Sequence, residues 1–279
     1  MTKYYTRACN FYYGSNAKLL IKNKLALPLC GNQNIAFDKI ELFLRKKNKV
    51  HSSTIDIKKI ESLKGIVKKK IKKDLKIITS KRKNFLKNVN FLEPTIMGIL
   101  NLTPDSFSDG GKFNKQKKAK NHILDMIKSG AKIIDVGGES TRPGSKTVLT
   151  SMEWKRIQNI VKNFKKTHKK ICLSIDTRKS EVMIKAIKHG ADLINDVSGF
   201  NYENQSLSRL KKYNVAKVLH HMQGTPNTMQ KNPKYKNVLL DIYDFFEEGI
   251  KKIANKKIII DPGIGFGKNL KHNLTLISR

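Results

Sequence analysis

The sequence has little cysteine and no long apolar run. Cys9, Cys30 and Cys172 are its only cysteines, an odd number, widely spaced and with no Cys-x-x-Cys. That excludes a disulfide framework and a cysteine zinc site, and it makes a reducing cytoplasm the natural compartment. No stretch approaches the ~18 apolar residues needed to cross a bilayer, so no membrane association is expected. The first ten residues are polar, without an apolar core or a small-residue cleavage pattern, so no secretory signal is expected. No Gly-x-Gly-x-x-Gly follows the first strand candidate, and the glycines at 263, 265 and 267 have the wrong spacing for a dinucleotide site.

Acidic residues are scarce as well. Against 57 Lys and Arg stand 22 Asp and Glu, a formal net charge of +35. A surface of that sign can serve nucleic acid. Here, however, lysine fills solvent-facing positions throughout, Ile and Asn are abundant everywhere, and no RNA-binding aromatic motif, helix-turn-helix or zinc finger stands out. The reading adopted is compositional drift. Nonspecific polyanion binding would then carry no function, while the positive field would speed capture of small anionic substrates.

A chain of 279 residues can bury a real core, as one large barrel or as two ordinary domains. A break falls near residues 88–94. Residues 1–90 form a lysine-rich extension of unknown role, read as a small α/β appendage. It holds two amphipathic stretches, 37–46 and 57–73, and two strand candidates, 25–29 and 75–79. From residue 95 the rhythm changes to short β-branched runs alternating with helical ones. Strands are expected at 95–100, 132–136, 171–175, 192–195, 215–219 and 257–260. Helices are expected at 115–129, 151–167, 179–189, 204–213 and 235–255.

Repeated βα units imply a parallel sheet covered by helices, either an open doubly wound sheet or a closed barrel. Polar residues separate the two. Asn101, Asp135 to Glu139, Asp176-Thr177, Asn195-Asp196, His220-His221 and Asp261-Pro262-Gly263 all follow or end strand candidates. Such clusters on many different strands fit the active face of a TIM-type barrel, whereas a doubly wound sheet concentrates them at one switch point.

Residues 97–111 (MGILNLTPDSFSDGG) and 133–144 (IIDVGGESTRPG) resemble the two signatures of the dihydropteroate synthases. Further matches in the same order are Ser174 to Thr177, Ile194 to Val197, His221 to Gly224, and Asp261 to Lys268. The resemblance covers about residues 94–274. Looser matches at Tyr4-Tyr5, 26–29 and Ala36-Phe37 resemble an N-terminal extension of some members.

The resemblance implies a parallel (β/α) barrel that condenses a pterin pyrophosphate with p-aminobenzoate in folate biosynthesis. Pyrophosphate leaves the pterin methylene carbon and the amine attacks, with no side-chain nucleophile. Asp176, Asn195 and Asp261 would bind the pterin, whose amino group and ring N–H together resemble a guanidine; Asp261 is the choice for the bidentate contact. Asn101 would contribute an oxygen to Mg²⁺, a cation that keeps waters and phosphates in its shell. Thr103, Asp105, Ser106 and Phe107 on the first loop, with Thr141 and Arg142 on the second, would surround p-aminobenzoate and the pyrophosphate. Alone, each has a blander reading: Asn101 as a turn residue, Arg142 as a solvated charge, Asp196 as a cap, His221 as a structural histidine. His220 departs from the apolar residue usual in the family and would add pH sensitivity at the pterin face.

Six strand candidates precede Arg279, while a closed barrel needs eight. The pterin-contacting Lys of the family's seventh strand, and the Arg and His of its eighth, have no counterpart here. The expectation is therefore an incomplete barrel, a fragment or truncated product without activity as written. Dimers are common in the family, so a homodimer is a further expectation. Two alternatives differ in class. A methyltetrahydrofolate methyltransferase domain would share the pterin pocket but lack the two loop signatures. A noncatalytic basic protein would show DNA binding that falls steeply with salt and no pterin affinity.

Overall fold

The computed structural model describes residues 2–103, 112–140, 145, 147–255 and 257–279, without the side chains of 112–115. The chain divides into two compact units, Met1–Lys83 and Asn84–Arg279.

In the first unit, β1 (Thr2–Tyr13) runs antiparallel to the long β3 (Asn32–Lys46). On its other side β3 pairs with β2 (Leu27–Leu29) and β4 (Lys49–Asp56). Helix α1 (Gly14–Lys22) follows β1, and a 3-10 turn (Ile57–Ser62) leads to α2 (Gly65–Thr79). The amphipathic stretch 37–46 is thus a central strand. Its dense apolar residues fit more than one periodicity, and hydrogen-bonded partners on both edges decide the matter. The strand expected at 75–79 is instead the end of α2. Val67, Ile71, Leu75 and Ile78 continue one helical stripe, which packs with Ala8, Phe37, Ile40 and Leu42 of the sheet.

The second unit contains a six-stranded parallel sheet, ordered β10-β9-β8-β7-β6-β5, consecutive along the chain. Its strands are β5 (Met97–Asn101), β6 (Ile133–Gly137), β7 (Cys172–Asp176), β8 (Leu193–Asp196), β9 (Ala216–His220) and β10 (Ile258–Asp261). Between them lie α3 (Lys112–Lys128), α4 (Thr150–Thr167), α5 (Ser180–Lys188), α6 (Ser206–Leu210) and α7 (Val238–Lys252); α8 (Leu270–Ser278) follows. This is the TIM-type arrangement, with six strands in place. All six strands are where the sequence predicts them, and each ends one residue later. Helix α6 is shorter than expected, and α8 was not foreseen.

Strand side chains alternate, so the sheet sorts its residues into two layers. Ile134, Val136, Leu173, Ile175 and Ile194 face the helices and pack on stripes such as Ile157, Ile160, Val161 and Phe164 of α4. The other face carries Ile133, Cys172, Leu193, Ala216 and Val218 near the strand starts, where Leu86 and Val89 cover them. Burying each such aliphatic side chain contributes about 1.5–3 kcal/mol. The polar residues lie farther along this same face, at the carboxyl ends.

Candidate active site

Parallel register fixes which of those polar residues are neighbours. Asn101 pairs with Gly137, Gly137 with Asp176, and Asp176 with Asn195. Register partners in a parallel sheet share a face, so Asn101, Asp176 and Asn195 form one row across four strands. His220 pairs with Asp261 two residues beyond the Val218–Ile259 pair, hence on the same face and nearer the rim. The structure thus brings Asn101, Asp176, Asn195 and Asp261 to one side. Asn195 and Asp261 line a cavity of ≈ 380 Å³ together with Met97, Ile133, Val218 and Ile259.

Two acceptors in this row have no partner among the described residues: Oδ1 of Asp176 and Oδ1 of Asn195 are both buried and unbonded. Burying a polar atom without a hydrogen bond costs about 1–3 kcal/mol, so such atoms mark a site completed by something else. Burial is the main cause that raises the Asp176 carboxyl well above its usual range, and the charges of Asp135, Asp196, Glu153 and Glu139 add to it. Beneath the row, Asp135 accepts from Ser174 Oγ at 2.6 Å and from Asn195 Nδ2 at 2.9 Å.

Asp261 is half exposed, and its Oδ1 accepts from the Gly263 N–H at 2.8 Å. Gly263 has φ +67°, and a Cβ there would stand 2.0 Å from the His221 carbonyl oxygen. Only glycine lets the chain turn back at this point. His220 is buried; its Nδ1 lies 2.8 Å from the Val197 carbonyl and its Nε2 4.0 Å from Asp261 Oδ2. Burial lowers its pKa, partly opposed by Asp261. The pH sensitivity expected of His220 is therefore displaced below the usual histidine range. His221 is structural, its Nδ1 3.1 Å from the Lys268 ammonium and its ring edge-on to Phe245. Lys268 donates to the carbonyls of Gly263 and Phe266, both at 2.9 Å, so it clamps the loop after β10.

Asn101 ends β5 exposed, beside Gly137. A Cβ on Gly137 would lie 3.2 Å from Asn101 Oδ1 and 3.3 Å from Asp176 Oδ2, so the bare glycine leaves room for two oxygens. A neutral amide oxygen suits a hard cation. Among the described residues no group of three or more His, Cys, Asp or Glu could hold a metal ion. A cation here would complete its shell with water and substrate oxygens, a donor set that fits Mg²⁺.

Thr103 follows β5 and is half-buried. Asp105, Ser106, Phe107, Thr141 and Arg142 lie outside the described residues. The stems of the second loop are described, and a buried ionic cluster holds them. Glu139 accepts from the Val148 N–H at 2.8 Å and from Arg178 at 2.8 Å, and it lies 2.9 Å from Lys179 Nζ. Burial pushes Glu139 upward, but these donors outweigh it and leave its pKa below the usual value. Lys179 also reaches Glu153, to which Thr177 Oγ1 donates. Sequence reasoning missed this cluster, since Glu153 sits among ordinary helical polar residues. Asp196, with its pKa raised to about 6 by burial, faces away from the row and accepts from the N–H groups of Ser198 and Phe200; it holds that turn and does not cap the next helix, α6, which starts at Ser206 after Gln205. Cys172 is buried with its thiol pushed up to about 12, mainly by that burial, so it is no nucleophile.

Comparison with known proteins adds to this geometry. The family model described as pterin binding enzyme matches residues 97–279. The dihydropteroate synthase of Escherichia coli (strain K12) is 43% identical over 197 residues, which is 69% of this chain and 69% of that protein. The Yersinia pestis dihydropteroate synthase, solved with a sulfonamide drug complex, superposes with a TM-score of 0.63 at 40% identity over 68% of this chain and 70% of that one. The Xanthomonas albilineans dihydropteroate synthase with 4-aminobenzoic acid gives a TM-score of 0.60 at 37% identity, covering 67% of each chain. A match over the whole sheet, joined to an inward row of unpaired acceptors, leaves one assignment: the chain belongs to the pterin-binding enzymes, among the dihydropteroate synthases.

Proposed function

We propose that the row Asp176–Asn195, with Asp261 at the rim, grips the pterin of 6-hydroxymethyl-7,8-dihydropterin pyrophosphate. The reaction is the family's, condensation with p-aminobenzoate to give 7,8-dihydropteroate and pyrophosphate. The observation that carries this reading is the pair of buried, unbonded oxygens on Asp176 and Asn195. A pterin edge offers N–H donors side by side, which would satisfy both and remove their desolvation cost. Asp261, more exposed, is the bidentate partner of the amino group and the adjacent ring N–H. His220, neutral near pH 7 and flanked by Phe266, offers a flat surface close to Asp261.

The chemistry asks little covalent work of the chain. The C–O bond to pyrophosphate breaks with its electron pair, the amine of p-aminobenzoate forms the C–N bond, and that nitrogen loses a proton. Holding the two substrates in line is the main contribution. Thr103, Asp105, Ser106 and Phe107, with Thr141 and Arg142, are the residues proposed for p-aminobenzoate and the pyrophosphate. Asn101 would hold Mg²⁺, which when bound neutralises charge on the departing pyrophosphate. The 4-aminobenzoic acid bound to the Xanthomonas relative supports the second substrate.

The compartment proposed is the cytoplasm, which suits three free thiols. No helix of the described residues is long and apolar enough to cross a membrane. A homodimer is proposed on family habit and is checked by sedimentation. The test of the reaction is condensation of labelled p-aminobenzoate, run with direct titration of the pterin. Asp176→Ala and Asn195→Ala should each weaken pterin binding at least tenfold. Unchanged binding in both would sink the reading.

A further inference from the structure

The pterin row rests on a second polar layer to which the reaction gives no role. Asp135 is buried two residues below Gly137, on the same face as the row. It has two donors, Ser174 Oγ and Asn195 Nδ2, and no cation pairs with it among the described residues. Each of its oxygens accepts here, Oδ1 from Ser174 and Oδ2 from Asn195, so it meets the donor end of the neighbouring amide. With Nδ2 turned to Asp135, Oδ1 of Asn195 must point the other way, and that is the atom left buried without a partner. Reversing the amide would set its oxygen against the carboxylate, acceptor to acceptor, inside a low-dielectric wall.

We infer that Asp135 is the positioning residue that fixes Asn195 as an acceptor, and so sets the hydrogen-bond polarity demanded of the ligand edge facing that strand. The inference rests on the pterin-site reading above. Asp135 touches no reacting atom; it acts through Asn195. The ligand edge it selects for is a donor, an N–H or NH₂. A ring in which that donor is methylated or replaced by a lone pair meets an acceptor fixed in place, and is rejected. Burial raises the Asp135 carboxyl, and the hydrogen bonds from Ser174 and Asn195 oppose that shift. Both partners come from other strands, Ser174 from β7 and Asn195 from β8, so the arrangement exists only once three strands are aligned.

The experiment is a double-mutant cycle on the full chain, read by the dissociation constant for dihydropterin pyrophosphate. Asp135→Ala should weaken binding about tenfold in the wild-type background and by less than twofold in an Asn195→Ala background. Residues coupled through one hydrogen bond show that non-additivity, whereas a general structural role does not. Asp135→Asn should recover to within threefold of wild type. Its amide oxygen can still accept from Asn195, and the Ser174 hydroxyl can turn to accept from its nitrogen. Asp135→Leu keeps the volume filled and replaces the alanine variant in the cycle if that variant loses its fold.

Discrimination supplies a second readout. Wild type should prefer the pterin over an analogue methylated at the donor facing Asn195, and Asp135→Ala should reduce that preference severalfold. An equal loss in both backgrounds would overturn the inference, as would an Asp135→Asn variant no better than alanine. If Asn195→Ala and Asp176→Ala both leave pterin affinity unchanged, the site reading itself has failed, and the inference falls with it. If those two weaken binding and Asp135→Ala does not, only the inference fails.

Discussion

The ammonium of Lys179 lies 2.6 Å from the carboxylate of Glu153, and both side chains are almost wholly buried. The same nitrogen is 2.9 Å from Glu139, which Arg178 holds from its other oxygen. Two cations and two carboxylates thus neutralise one another at the carboxyl ends of β6 and β7, at the stem of the second loop.

Removing one member should therefore be costly. Lys179→Met leaves two buried carboxylates short of a partner, and breaking a buried pair costs about 3–5 kcal/mol. Urea denaturation should show that loss, with folding intact at low temperature. A change under about 1 kcal/mol would mean that water reaches the cluster.

Asp176 should behave in the opposite sense. Its folded pKa lies above the unfolded one, so the native state binds more protons and stability falls as pH rises through that interval. Asp176→Asn removes the ionisable group and should raise stability at pH 7 by on the order of 1 kcal/mol. The same change should weaken the pterin complex tenfold or more. A variant both less stable and fully able to bind would contradict the assigned role.

His221 gives a pH signature of its own. Burial lowers its pKa to about 4, with the charges of Lys268 and His220 adding to the effect. The unfolded chain has a value of about 6.5. Between about pH 4 and 6.5 the unfolded state binds the extra proton, so stability rises with pH across that window and loses this contribution below it. The slope integrates to no more than about 3 kcal/mol. His221→Gln should flatten it in a series of thermal melts.

Gly263→Ala should disable the rim. The positive φ costs about 1–2 kcal/mol for an L side chain. The Cβ would also meet the His221 carbonyl at 2.0 Å, so the backbone has to move. Because the Gly263 N–H holds Asp261 Oδ1, the shift should reach the pterin contact. The expected result is a protein of lower melting temperature and at least tenfold weaker pterin binding, measured by titration. Wild-type affinity would show that the turn and the site are independent.

The six strands of the barrel unit were legible because each is a short apolar run, closed in five of the six by a polar residue and in β6 by Gly137. The displacement of each strand end by one residue has a consequence for the site. Asn101, Asp176 and Asp261 are the last residues of their strands, so their side-chain directions follow from the pleat. The first unit was less legible. Residues 37–46 carry apolar side chains at spacings that suit more than one element, and the partners that settle them lie elsewhere in the chain. The ionic cluster was hidden for the same reason, since Glu139 and Arg178 are 39 positions apart.

Local chemistry alone determined the alternation of strand and helix, the loop signatures and the polar residues at the strand ends. Those depend on side-chain pattern within a few residues, which folding does not alter. Only the tertiary structure decided which of those polar atoms are satisfied. Asp135 and Asn195 stand 60 positions apart, and register across β6, β7 and β8 brings them to 2.9 Å. That bond leaves one oxygen bare, a property of alignment between strands.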